Sequence, residues 1–119
     1  MPKSISRTTK LAPRKRSREA APSVPYEPWL IAQLKDPAEA AAYLEAVIEE
    51  DDQAALMLAL RQVAQAQGGI AKVARKAKLT REATYKMLSN SGNPELRSLR
   101  AVLAATGLRI AVRPIERGA

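Results

Sequence analysis

The chain has no cysteine, no histidine and no phenylalanine among its 119 residues. Without cysteine there are no disulfides and no thiolate chemistry, which suits a reducing compartment. Without histidine as well, zinc sites and imidazole-based proton transfer are closed, leaving carboxylate, Lys, Ser, Thr and Tyr groups for any reaction. No nucleophile with a base, metal cluster or phosphate-binding loop can be assembled from these, so we read the chain as a non-enzyme with no cofactor. No apolar run approaches the roughly 18 residues of a membrane span. The basic N-terminus lacks the apolar stretch of a secretory signal. Aromatics are limited to Trp29 and three tyrosines, so any core is aliphatic, built from Leu, Ile, Val and Ala.

What the chain does have is 46% hydrophobic residues, enough for one modest core, and a net charge of +8 that is unevenly spread. Residues 1–25 carry seven Lys or Arg against one Glu. Residues 26–60 carry Lys35 against eight acids, and residues 61–119 carry twelve basic groups against three acidic ones. A basic, acidic, basic order argues for two different partners, one anionic and one cationic.

Residues 1–25 combine that charge with Ser, Thr and Pro and too little apolar surface to offset the cost of ordering, so they read as a disordered tail. The tail either holds phosphates non-specifically or serves as a solubilising end. Residues 26–52 form an acidic helical segment. Pro28 suits the first turn of a short helix, with Ile31 and Leu34 inward. Asp36-Pro37-Ala38-Glu39 then opens a helix to about Glu50, with Ala40, Tyr43, Leu44, Val47 and Ile48 on one face. From about Asp52 to Gln67 a third helix points Leu56, Leu60, Val63 and Ala64 inward and is apolar enough to be buried on several sides.

Gly68 and Gly69 release the chain into GIAKVARKAKLTREATYKML, residues 69–88, which reads as two short helices joined by a tight turn. Ile70, Ala71, Val73 and Ala74 give the first its apolar surface, and Leu79 lies in the turn. Thr80 caps the second, where Thr84, Met87 and Leu88 face inward and Arg81, Glu82, Tyr85, Lys86 and Ser89 face out. A short helix with Arg, Tyr and Lys outward is what a major-groove reader needs; an ordinary helix pair with a solvated face fits the same pattern. After the loop SNSGN, Asn93-Pro94-Glu95 reads as another cap-and-proline start, with Leu96, Leu99, Val102 and Leu103 inward and Gly107 as the stop. Residues 108–119 are a strand and tail: Leu108 to Val112 switches to a period of two, Leu108, Ile110 and Val112 on one side, and reads as a strand without an internal partner, expected to pair with a symmetry mate or another protein. A frayed terminus is the alternative.

The order of a buried helix, the two-helix unit, a loop and the NPELRSLRAVLAATGL helix resembles the Xre/Cro-type, lambda repressor-like helix-turn-helix domain, here over residues 53–107. From about Trp29 to Ile110 the chain more closely resembles the probable addiction module antidote family, which is HigA-like. The motif GG-x-A-x-x-A-x-x-x-x-L-[ST]-R-E-x-x-Y-[KR], followed by the GNP helix start, carries that resemblance. Two positions depart from it: Lys78 stands where a glycine is usual, implying a slightly strained or altered turn, and Thr84 where an aliphatic residue is usual, implying a thinner core.

The resemblance implies an all-α bundle with N-terminal helices and a short C-terminal β-strand. It implies an antitoxin, in the bacterial cytoplasm and at the nucleoid, that binds a small basic RelE/HigB-like ribonuclease toxin and represses its own operator as a homodimer on double-stranded DNA. Arg81, Tyr85 and Lys86 are the candidate base or groove contacts, with Glu82 able to accept from a cytosine amino group. Thr80, Ser89, Asn90, Ser91 and Asn93 flank the helix as candidate phosphate contacts, and Lys72, Arg75 and Lys76 add charge. Glu39, Glu45, Glu49, Glu50, Asp51 and Asp52 are the candidate toxin-facing acids, or simply a solvated face. A stand-alone Xre-type regulator without a toxin and a protein-interaction adaptor are the competing readings.

Overall fold

A computed structural model describes residues 26–116, so the basic tail expected at residues 1–25 and the last three residues lie outside the described residues. Contacts divide the chain into two units, Met1–Leu30 and Ile31–Ala119. The described residues form six helices: α1 (Tyr26–Gln33), α2 (Pro37–Glu49), α3 (Gln53–Ala66), α4 (Ile70–Ala77), α5 (Arg81–Met87) and α6 (Leu96–Ala105). The architecture is all-α, as expected, and none of these helices is long and apolar enough to cross a membrane.

Helix starts follow side-chain oxygens that satisfy otherwise unpaired N–H groups. The Asp36 carboxylate accepts from Ala38 N at 3.0 Å, with Pro37 at the first helical position of α2. The Asp52 carboxylate accepts from Ala55 N at 3.1 Å to open α3. Between them the chain reverses through Asp51, whose φ of 58° is left-handed, a conformation Asp tolerates better than most residues.

The inner face of α2 is Ala40, Leu44 and Val47, whereas Ile48, expected to be inward, is 56% exposed. Helix α3 buries Met57, Ala59, Leu60, Gln62, Val63, Ala64 and Ala66, so the expectation of burial on several sides holds. Its inward line includes Met57, which the simplest periodic reading left off, and Leu56 is only half-buried. The Tyr43 hydroxyl of α2 donates to Gln62 Oε1 of α3, giving that buried amide a polar partner.

Three helices end alike. After α3, Gly69 N donates to Ala64 O and Gly68 N to Gln65 O; after α6, Leu108 N donates to Leu103 O and Gly107 N to Ala104 O. These are Schellman motifs, with Gly68 at φ 108° and Gly107 at φ 86° in the position where a Cβ is costly. After α4 the same pair of bonds runs from Leu79 N to Ala74 O and from Lys78 N to Arg75 O, but here Lys78 holds the left-handed position at φ 62°. Of the two outcomes expected at Lys78, the turn is the strained one and not an altered one: the same bonds form, with a Cβ in the left-handed place.

Helix α4 packs against α3, α5 and α6. Ala64 of α3, Val73 of α4 and Val102 of α6 meet in a core closed by Ile70, Ala77, Leu79, Met87 and Ala105. As the composition required, this core is aliphatic.

Two further expectations fail. Helix α6 begins at Leu96 with Glu95 as its N-cap, not at Asn93-Pro94. Residues ahead of it are drawn elsewhere: Gly92 O accepts from Gln53 Nε2 at 3.0 Å and Gly92 N donates to Ser89 O at 2.8 Å. Leu96 is left 63% exposed and is not part of the inner face. The C-terminal β-strand is also not seen: residues 108–116 have no strand pairing. Leu108 is tied into the cap of α6, Ile110 and Val112 are exposed, and Arg113 makes a 3.2 Å ion pair with Glu45. A strand is defined by a hydrogen-bonded neighbour, and the alternation of Leu108, Ile110 and Val112 records only which side chains share a side.

Candidate nucleic-acid interface

Helix α5 stands on α4 through a small set of inward groups. Thr84 and Leu88 are fully buried and Met87 is half-buried. At its start the Thr80 hydroxyl accepts from Ala83 N at 3.0 Å. The unusual Thr84 is not an unpaired polar group, because its hydroxyl donates to Thr80 O at 2.8 Å, one helical turn back. The thinner core expected there is thus offset by an internal hydrogen bond.

The opposite side of α5 is polar and open. Arg81, Glu82, Tyr85 and Lys86 are all exposed. Arg81 and Tyr85 are one turn apart, and the guanidinium lies over the Tyr85 ring at 5.8 Å from its centroid. Such a contact is worth about 0.5–1 kcal/mol at an exposed site and holds Arg81 extended along the helix. Glu82 and Lys86 form a second, neighbouring row of the same spacing. The four groups share one half of the helix, so a flat or grooved ligand can meet them together.

The flanking candidates divide by what their side chains already do. Lys72, Arg75 and Lys76 are exposed on α4, with the Lys72 stem close over Gly68. The Ser89 hydroxyl donates to Lys86 O at 2.8 Å, which commits its one proton, so in this rotamer it has no donor for a phosphate. Thr80 keeps its own proton while capping. Asn90 Oδ1 accepts from Arg61 at 3.0 Å, and Ser91 and Asn93 are exposed in the loop.

Sequence reasoning missed Arg61. It reaches from α3 to the far end of α5, where Nη1 donates to Leu88 O and Nη2 to Asn90 Oδ1. Partial burial lowers its pKa through desolvation, although a guanidinium keeps its proton at any ordinary pH. A signal was available: Arg61 is the only charged residue in the otherwise apolar and amide-bearing α3. Gly92 was also passed over; a Cβ there would lie 2.1 Å from Met87 O, so only glycine lets the loop fold back on α5.

The six candidate acids are all exposed but are not one surface. Glu45 and Glu49 are one turn apart on α2, with Glu45 engaged by Arg113. Glu39 lies about a third of a turn round from Glu45 and accepts from Gln33 Nε2 at 3.4 Å. Glu50 ends α2, Asp51 makes the reversal and Asp52 caps α3, so this run has local structural work irrespective of any partner.

Fold and surface together define a small all-helical protein that displays a capped, basic and aromatic helix. Residues 29–114 match the family described as probable addiction module antidote protein. The chain belongs to that family, whose description points to the antidote side of an addiction module. It is also similar to an uncharacterized protein of Haemophilus influenzae, 34% identical over 71 residues that cover 60% of this chain and 72% of the relative. No solved structure matches it.

Proposed function

We propose that this antidote is a sequence-specific DNA-binding antitoxin whose α4–α5 unit acts as a helix-turn-helix of the Xre/Cro type. In this reading α5 enters the major groove of the protein's own operator, a homodimer represses the operon, and a small basic RelE/HigB-like toxin is neutralised by direct binding. The observation that carries the DNA half is the exposed row of Arg81, Glu82, Tyr85 and Lys86 on a helix whose buried side is fully occupied. Arg supplies donors for guanine, Glu accepts from cytosine, Lys adds charge and Tyr supplies an apolar body. Family membership supports the toxin half, and the exposed acids of α2 offer charge to a cationic partner. The protein then works in the bacterial cytoplasm, at the nucleoid.

A gel shift with duplex from upstream of its own coding region, at two salt concentrations and with random competitor, tests the DNA half. A complex that outlasts the competitor is expected. Binding that the competitor removes equally at both salts returns α5 to a mere packing element and favours an adaptor. Co-purification with a small basic protein encoded nearby tests the other half, and a chain that represses without such a partner is a stand-alone regulator.

A further inference from the structure

We propose that Arg61 is a positioning residue that locks the Asn90 amide with its NH2 turned away from α3, making Asn90 a hydrogen-bond donor to a DNA backbone phosphate. The inference rests on the DNA-binding reading and adds to it which group works at the far end of α5 and what holds it there. Arginine carries donors and no acceptor. Hence the atom that Asn90 presents to Nη2, 3.0 Å away, has to be the carbonyl oxygen, and the flip of the amide is dictated by its neighbour's chemistry.

The second Arg61 nitrogen on Leu88 O fixes the guanidinium plane to the end of α5, so the amide is held relative to the reading helix and not merely to its own loop. Asn90 itself is exposed, and its two outward N–H groups match phosphate oxygens, which only accept. With Oδ1 turned toward Arg61 and one of its lone pairs taken there, the residue is less well set for the two-point recognition of adenine, which needs donor and acceptor side by side. Ser89, beside it, has its proton committed to Lys86 O, so Asn90 is the side chain of this pair that offers donors.

Substitution separates the two bonds that Asn90 makes. Asn90→Asp keeps an acceptor for Arg61 but has no donor for DNA; Asn90→Ala has neither. Fluorescence anisotropy is read with duplex from upstream of the coding region and with a random duplex of equal length, beside thermal melts of each variant. Asn90→Ala is expected to bind both duplexes about tenfold more weakly and to melt lower, since a hydrogen bond to a charged group is lost. Asn90→Asp is expected to melt at or above the native chain yet bind both at least as weakly as Asn90→Ala. Arg61→Met frees the amide, so Asn90→Ala added to it costs less than it does in the native chain.

A purely structural Asn90 predicts the reverse: Asn90→Asp restores binding along with stability, and that outcome overturns the inference. A loss confined to the upstream duplex makes Asn90 a base contact and overturns it too, as do losses from Arg61→Met and Asn90→Ala that simply multiply. Native chain that binds neither duplex removes the DNA reading itself; native binding with Asn90→Asp unimpaired removes this inference alone.

Discussion

Replacing Lys78 with glycine is expected to stabilise the protein, and the magnitude follows from three helix ends that differ at one position. The caps after α3, α4 and α6 make the same two backbone hydrogen bonds, with Gly68, Lys78 and Gly107 in the left-handed place. A Cβ in that conformation costs roughly 1–2 kcal/mol. Lys78 is exposed, so removing its side chain forfeits no buried contact. Against the relief stands the greater freedom of glycine in the unfolded chain, about 0.4–1 kcal/mol. The net gain expected is therefore about 0.5–1 kcal/mol.

Urea melts check it, the midpoint rising while the slope stays constant, because the surface exposed on unfolding does not change. Lys78→Ala is the control: it removes the charge and keeps the Cβ, so it should leave stability close to native. Lys78→Asn should fall between them, since Asn tolerates the left-handed region better than Lys. If Lys78→Gly and Lys78→Ala shift the midpoint equally, the backbone explanation is wrong and the effect is one of charge. A lowered midpoint for Lys78→Gly would mean that the Lys side chain makes a stabilising contact in solution.

Three further substitutions probe the loop, the packing and the reading surface. Gly92→Ala should destabilise by about 3 kcal/mol or more in the same urea assay, because its Cβ would meet the Met87 carbonyl at 2.1 Å and backbone on both sides must move. Thr84→Val should change stability by less than about 1 kcal/mol, since Thr80 O already accepts from Thr84 N at 3.1 Å and is not stranded when the hydroxyl goes; a loss several times larger would show that the hydroxyl has another buried role. Arg81→Ala should cost roughly 1–3 kcal/mol on the operator and blur sequence preference, and an equal loss on random DNA would reassign Arg81 to the backbone.

The local signals of the sequence were sufficient wherever a few neighbouring residues settle the outcome. Asp36-Pro37, Asp52 and Thr80 start helices because their own oxygens reach N–H groups two or three residues on, and Gly68 and Gly107 stop them because only a residue without Cβ is comfortable there. The inward Thr84 and Leu88 and the outward Arg81, Glu82, Tyr85 and Lys86 follow from helical spacing alone once those ends are known. The all-helical class was legible for the same reason, and the family through the resemblance of its motif from Gly68 to Lys86.

What the tertiary structure decided are the matters in which distant residues compete. The cap of α6 moved from Asn93 to Glu95 in a chain whose Gly92 carbonyl is taken by Gln53, a residue 39 positions away. Leu108 to Val112 alternates like a strand, yet pairing depends on a neighbour that spacing cannot supply, and no strand formed among the described residues. Arg61 is one charge in a helix by sequence, and folding sets it against Leu88, 27 positions along the chain, at the end of α5. Caps and periodicity act within a turn or two of chain; loop carbonyls, strand partners and long side chains choose among whatever the fold brings near, and that choice is made only in three dimensions.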